Sequence, residues 1–186
     1  QKENRVASRR YAAGGRGRDC VCNSGGFSLN AALTAKEVIA ADISPLALKN
    51  VGRNAELNGI ANITTRCADV FQLLRDYRAA GEKFSLVVLD PPAFCKSAAE
   101  VKDAYRGYKD INLLGMKLVE KGGFLATCSC AQHMTPVLFD KMLAEAAKES
   151  GRKVRCLETR SQAPDHPALL NQDETRYLKF FVLQVL

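Results

Sequence analysis

Residues 84–94 read FSLVVLDPPAF. An apolar run such as Phe84 to Leu89, without polar alternation, marks a strand buried on both faces, as in a parallel sheet covered by helices. Asp90-Pro91-Pro92 closes it, because two prolines fix an extended turn and hold the aspartate at the strand's carboxyl end. This strand is expected to be central. For Asp90 the structural alternative to a functional carboxylate is a capping residue in a rigid turn.

Outward from this strand the chain alternates short apolar runs with amphipathic segments, which predicts an α/β fold with a mostly parallel seven-stranded sheet and helices on both faces. Cys20–Cys22 is expected to end a first strand, followed by a turn at Gly25-Gly26 and a helix through Leu33. Val38–Asp42 reads as a second strand. Ser44 then caps a helix with Pro45 at its first position and Leu48, Val51 and Ala55 on one face. A third strand covers Ile63–Cys67, and a helix over Val70–Ala79 stops at Gly81. A long helix is expected over Ala98–Glu120, broken by Gly122-Gly123 ahead of a strand at Phe124–Cys128. Thr135-Pro136 opens a helix ended by Gly151, and strands at Val154–Leu157 and Tyr177–Val185 flank a polar loop, 161–175.

The 186 residues suffice for one core, so one α/β domain (19–186) behind a basic segment (1–18) is expected. The net charge is +7, and residues 1–19 hold six basic side chains against two acidic ones. Such a cluster suits a polyanion, while a solvated face is the plain alternative. No apolar run approaches the roughly 18 residues of a membrane span and the first residues are polar, so a soluble, cytoplasmic protein without a membrane partner is expected. Seven cysteines lack CxxC spacing, so neither a disulfide framework nor a metal site is expected.

In an open α/β sheet, ligands bind beyond the carboxyl ends of the strands. There the sequence offers Ser24, Gly25 and Gly26 after strand one, Asp42 at the end of strand two and Asp69 after strand three. Asp90 follows strand four, and Cys128-Ser129-Cys130 end strand five. Glycines let a backbone approach a ligand, and an acid about 16 positions on can accept hydrogen bonds from ribose hydroxyls. An adenosine-containing cofactor fits, with Asp69 near the adenine. The loop lacks both GxGxxG and GxxxxGK[ST], so phosphate cradling fits less well.

The strings NSGGF (23–27), DPPAF (90–94), RGYKDIN (106–112), TCSC (127–130) and QAPDHP (162–167), in this order, resemble the bacterial ribosomal large-subunit RNA 5-methylcytosine methyltransferase family. The likeness covers nearly the whole chain from QKENR onward, although Gly17 and Arg18 stand where that family is apolar. The resemblance implies a Rossmann-like class I fold, S-adenosyl-L-methionine as cofactor and ribosomal RNA as partner. Ser24, Gly25, Asp42 and Asp69 match cofactor contacts. Asp90 would hydrogen-bond the cytosine, and Cys130 would attack its carbon 6. Covalent addition makes carbon 5 nucleophilic enough to accept a methyl group. A strand's period of two puts Cys128 and Cys130 on one face, so the residues alone do not choose between them. Cys95 reads as a small core residue. By analogy, a homodimer is expected. The rivals are a methyltransferase acting on a guanine nitrogen, which needs no cysteine, and a catalytically silent RNA-binding domain.

Overall fold

The computed structural model describes residues 1–186. Its seven strands are β1 (Arg16–Asp19), β2 (Glu37–Asp42), β3 (Ile63–Cys67), β4 (Phe84–Leu89), β5 (Val119–Ser129), β6 (Val154–Arg160) and β7 (Lys179–Val185). They form one sheet in the order β3-β2-β1-β4-β5-β7-β6. β1 to β5 pair in parallel, and β7 pairs antiparallel with β5 and β6. The FSLVVL strand is the fourth of seven, as its uninterrupted burial requires.

Six helices accompany the sheet: α1 (Lys2–Ala12), α2 (Gly26–Ala32), α3 (Pro45–Leu57), α4 (Val70–Ala79), α5 (Val101–Leu118) and α6 (Pro136–Ser150). Alternate residues of β4 divide between two cores. Val87 and Leu89 join Tyr108 and Ile111 of α5 and Met142 of α6, while Leu86 and Val88 join Ala12 of α1 and Phe27 and Ala31 of α2. Each face of the central strand is thus covered by helices, as its period of two demands.

Local capping chemistry sets several boundaries. Ser44 accepts from Ala47 N, Asp69 from Gln72 N and Thr135 from Leu138 N, each satisfying an orphan amide of a first helical turn. Pro45 and Pro136 sit where a missing N–H costs nothing.

Three expectations need correction. β1 spans Arg16–Asp19, not residues up to Cys22, because the ladders to β2 and β4 align Arg16 with Glu37 and Asp19 with Val88. Pairing on both sides overrides the polar character of the strand, and position 18/19 falls inside it. Ahead of it, α1 packs against α2 and buries Asn4, Ser8 and Ala12, a face without apolar periodicity. In the middle of the chain, α5 ends at Leu118 and β5 begins at once, carrying Gly122 and Gly123 within it. A Cβ on Gly123 would lie 2.8 Å from the Ser85 carbonyl oxygen, so the glycine lets the two strands approach.

The chain leaves β1 for β2 and β3 on one side and returns to β4 and β5 on the other. This reversal opens a crevice at the carboxyl ends of β1 and β4, the topological switch point where ligands bind in such sheets.

Candidate active site

A cavity of about 650 Å³ occupies that crevice, a size suited to a small-molecule cofactor. Ser24 and Gly26 of the β1 loop, Asp42, Asp69, Asp90 and Cys130 all line it. Gly25 stands just behind, with φ of 87°, a left-handed conformation that favours glycine.

Asp42 ends β2, and its two oxygens accept from Asn23 N and Ser44 N, both at 2.9 Å. The carboxylate therefore ties the β1 loop to the start of α3 and keeps further lone pairs for the cavity. Asp69 is the N-cap of α4 and is exposed at the cavity's edge, with Phe71 beside it on the lining. The lining offers carboxylates for ribose hydroxyls and an aromatic ring for a base, and S-adenosylmethionine fits this set of donors and acceptors.

Asp90 lies past the end of β4, and its Oδ1 accepts from the Gln1 side-chain amide at 2.8 Å. Burial pushes its carboxyl above the usual range, and the hydrogen bonds from Gln1 and Cys128 oppose that rise. Cys128 is fully buried in the α1/α2 core, which drives its thiol far up. Cys130 lies one residue beyond β5 and faces the cavity; burial, then the nearby Asp90, raise its thiol. The two cysteines that share a strand face in the simple pattern differ because the strand ends at Ser129. Cys95 is buried in the α5/α6 core.

Sequence reasoning missed three residues here. Gln1 and Arg5 reach the cavity from α1, and the only signal was that QKENR opens the family likeness. Lys179 is the third. Buried at the start of β7, its ammonium donates to the Ala131 and Tyr177 carbonyls at 2.6 and 2.7 Å, and burial lowers its pKa to about 8. It pins the turn after Cys130 to the segment that enters β7.

The N-terminal basic cluster is largely consumed within the fold. Arg9 donates twice to Asn30 Oδ1, Arg10 pairs with Glu158, Arg16 bridges Glu37 and Glu82, and Arg18 is buried. Arg18 is thereby withdrawn from any phosphate, while Arg9, Arg10 and Arg16 stay partly exposed within these contacts. No helix is long and apolar enough to cross a membrane.

Comparison with known proteins agrees with this geometry. Residues 17–103 match the family model described as RNA cap guanine-N2 methyltransferase. The chain is 44% identical to Ribosomal RNA large subunit methyltransferase I of Erwinia tasmaniensis, over 100% of this chain and 48% of that protein. It is 46% identical to the protein of the same name from Aeromonas hydrophila, over 99% and 47%. The chain thus spans about half the length of these curated relatives. Among solved structures, a methyltransferase complexed with SAH superimposes with a TM-score of 0.85 at 20% identity, over 99% of this chain and 48% of that one. A SAM-dependent methyltransferase from Streptococcus mutans gives 0.84 at 20% identity, over 99% and 47%. The resemblance read in the sequence holds: the fold is that of class I methyltransferases, and S-adenosyl-L-methionine is the cofactor of that class.

Proposed function

We propose, starting from a class I S-adenosylmethionine-dependent methyltransferase domain similar along its whole length to ribosomal RNA large subunit methyltransferase I, that this chain forms 5-methylcytosine in large-subunit ribosomal RNA through Cys130. Work on ribosomal RNA would put it in the cytoplasm. The observation that carries the reading is the position of Cys130, on the cavity wall next to Asp90 and just past the end of β5.

The bound cofactor supplies an electrophilic methyl group. Asp42 would take the ribose hydroxyls, Asp69 and Phe71 would border the adenine, and Ser24, Gly25 and Gly26 would hold the methionine end. Asp90, whose carboxyl holds its proton more readily than an exposed one, hydrogen-bonds the cytosine ring and protonates it as the Cys130 sulfur bonds to carbon 6. Carbon 5 then carries the electron density to take the methyl group. Loss of the carbon 5 proton to a base lets the carbon–sulfur bond break, which restores the thiolate, and the ring proton returns to Asp90 as the product leaves. The target base has to leave its stack to reach a cavity this deep, so an unpaired cytosine suits the site better than one in a stable helix.

A second reading, methylation of a guanine N2, is favoured by the description of the matching family model. That match ends at residue 103, so it takes in the cofactor residues and Asp90 but stops short of β5 and of the cysteines at 128 and 130. Digestion of methylated ribosomal RNA to nucleosides, followed by mass spectrometry, separates the two. 5-Methylcytidine is expected, and N2-methylguanosine would replace this reading with the second.

A further inference from the structure

We propose that Arg5 is the carboxylate anchor of the cavity and takes the amino-acid end of S-adenosylmethionine through a paired guanidinium–carboxylate contact. The assignment rests on the cofactor reading above. The charged side chains that line the cavity are Asp42, Asp69, Asp90 and Arg5, so Arg5 is its one cationic side chain. Among the lining side chains, the single carboxylate of S-adenosylmethionine finds its one guanidinium partner at Arg5.

Arg5 is also free to act. Arg10 is held by Glu158 at 2.7 Å, and Arg16 by Glu37 and Glu82 at 2.5 and 3.0 Å, whereas Arg5 is exposed and forms no ion pair. Its planar fork of donors suits a carboxylate better than an ammonium does.

The backbone is built to admit this side chain. A Cβ on Gly26 would lie 2.6 Å from Arg5 Nε, 2.8 Å from Cζ and 2.9 Å from Cδ. No positive φ demands glycine at this position, so the absence of a side chain serves the passage of the guanidinium over the turn. Position along the sheet agrees as well. Asp69 follows β3, Asp42 ends β2, Gly26 follows β1 and Asp90 follows β4, in the spatial order β3-β2-β1-β4. Adjacent strands are about 4.8 Å apart, so Arg5 at the β1 loop stands roughly 10 Å from the adenine end at β3. That order reproduces adenine, ribose and amino acid.

The test compares two ligands by calorimetry: S-adenosylmethionine and 5′-methylthioadenosine, which keeps the nucleoside and lacks the amino acid. Arg5→Met should weaken S-adenosylmethionine binding about 10- to 100-fold, the range for hydrogen bonds to charged groups. Binding of 5′-methylthioadenosine should stay within about twofold of wild type, and Arg5→Lys should recover part of the loss. Gly26→Ala, which displaces the guanidinium without removing it, should repeat the discrimination. Equal losses for both ligands, or none for either while the wild type binds both, would overturn the anchor and leave the cofactor reading standing. A wild type that binds neither ligand would overturn both.

Discussion

The side-chain amide of Gln1 donates to Oδ1 of Asp90 at 2.8 Å, across 89 positions of sequence, and Asn4 steadies Gln1 in turn by donating to its Oε1 at 2.9 Å. An amide donor favours the charged form of a carboxyl group, so this bond opposes the upward push of burial on Asp90. Gln1→Ala removes that opposition and should raise the Asp90 pKa further. Because Asp90 acts in its protonated form, the alkaline limb of the pH–rate profile for methyl transfer should shift to higher pH, and an unmoved limb would show that Gln1 does not govern Asp90.

Asp42 tests the cofactor end. Asp42→Ala removes the charged acceptor for the ribose hydroxyls and should weaken S-adenosylmethionine binding by about 1.5–3 kcal/mol. The same change frees Asn23 N and Ser44 N, so part of the loss reflects a looser turn. Asp42→Asn, which keeps one neutral acceptor there, should bind more tightly than the alanine variant by calorimetry.

Arg18 is a fault in the core. It is 1% exposed, its three guanidinium nitrogens have no hydrogen-bond partner, and its main neighbour is the Tyr77 ring, 4.6 Å from Cζ. Replacing a buried charge by an apolar side chain of similar bulk often stabilises by about 1–4 kcal/mol. Arg18→Leu should raise the denaturant midpoint accordingly, whereas a lower midpoint would mean that the cation–π contact outweighs desolvation.

Asp19 sets a pH dependence of stability. Burial lifts its carboxyl from 3.8 to about 6 although Ser28 donates to it twice. The native state therefore holds a proton that the unfolded chain gives up in this window. Asp19's contribution to stability is present below pH 3.8 and is lost as pH rises through about 6. Between these limits the wild type should lose on the order of 3 kcal/mol relative to Asp19→Asn, a shift of about two units at 1.36 kcal/mol each. Parallel stability curves for the two proteins would contradict the buried ionisation.

The elements legible in the sequence are those whose local signals agree with their packing. β3, β4 and α4 have the expected limits, and Ser44, Pro45 and Thr135 mark helix starts by chemistry that does not depend on the rest of the fold. β1 escaped because its position is decided by partners on both sides while its own residues are Arg16, Gly17, Arg18 and Asp19. α1 escaped because the face it buries is polar, and with it went Gln1 and Arg5, whose part in the cavity depends on how that helix docks. The loop acids Asp42, Asp69 and Asp90 were readable because the switch point of a parallel sheet gathers whatever follows its strands.

The most direct test of the account is covalent capture by RNA with 5-fluorocytosine at the target position, since fluorine cannot leave as a proton after methyl transfer. A denaturation-resistant adduct is predicted with the wild type and with Cys128→Ala, whose thiol is buried in the core, and none with Cys130→Ala, which should still bind S-adenosylmethionine. Methylation of RNA by Cys130→Ala at the wild-type rate, with no adduct in any form, would contradict both the nucleophile and the choice of carbon 5 of cytosine.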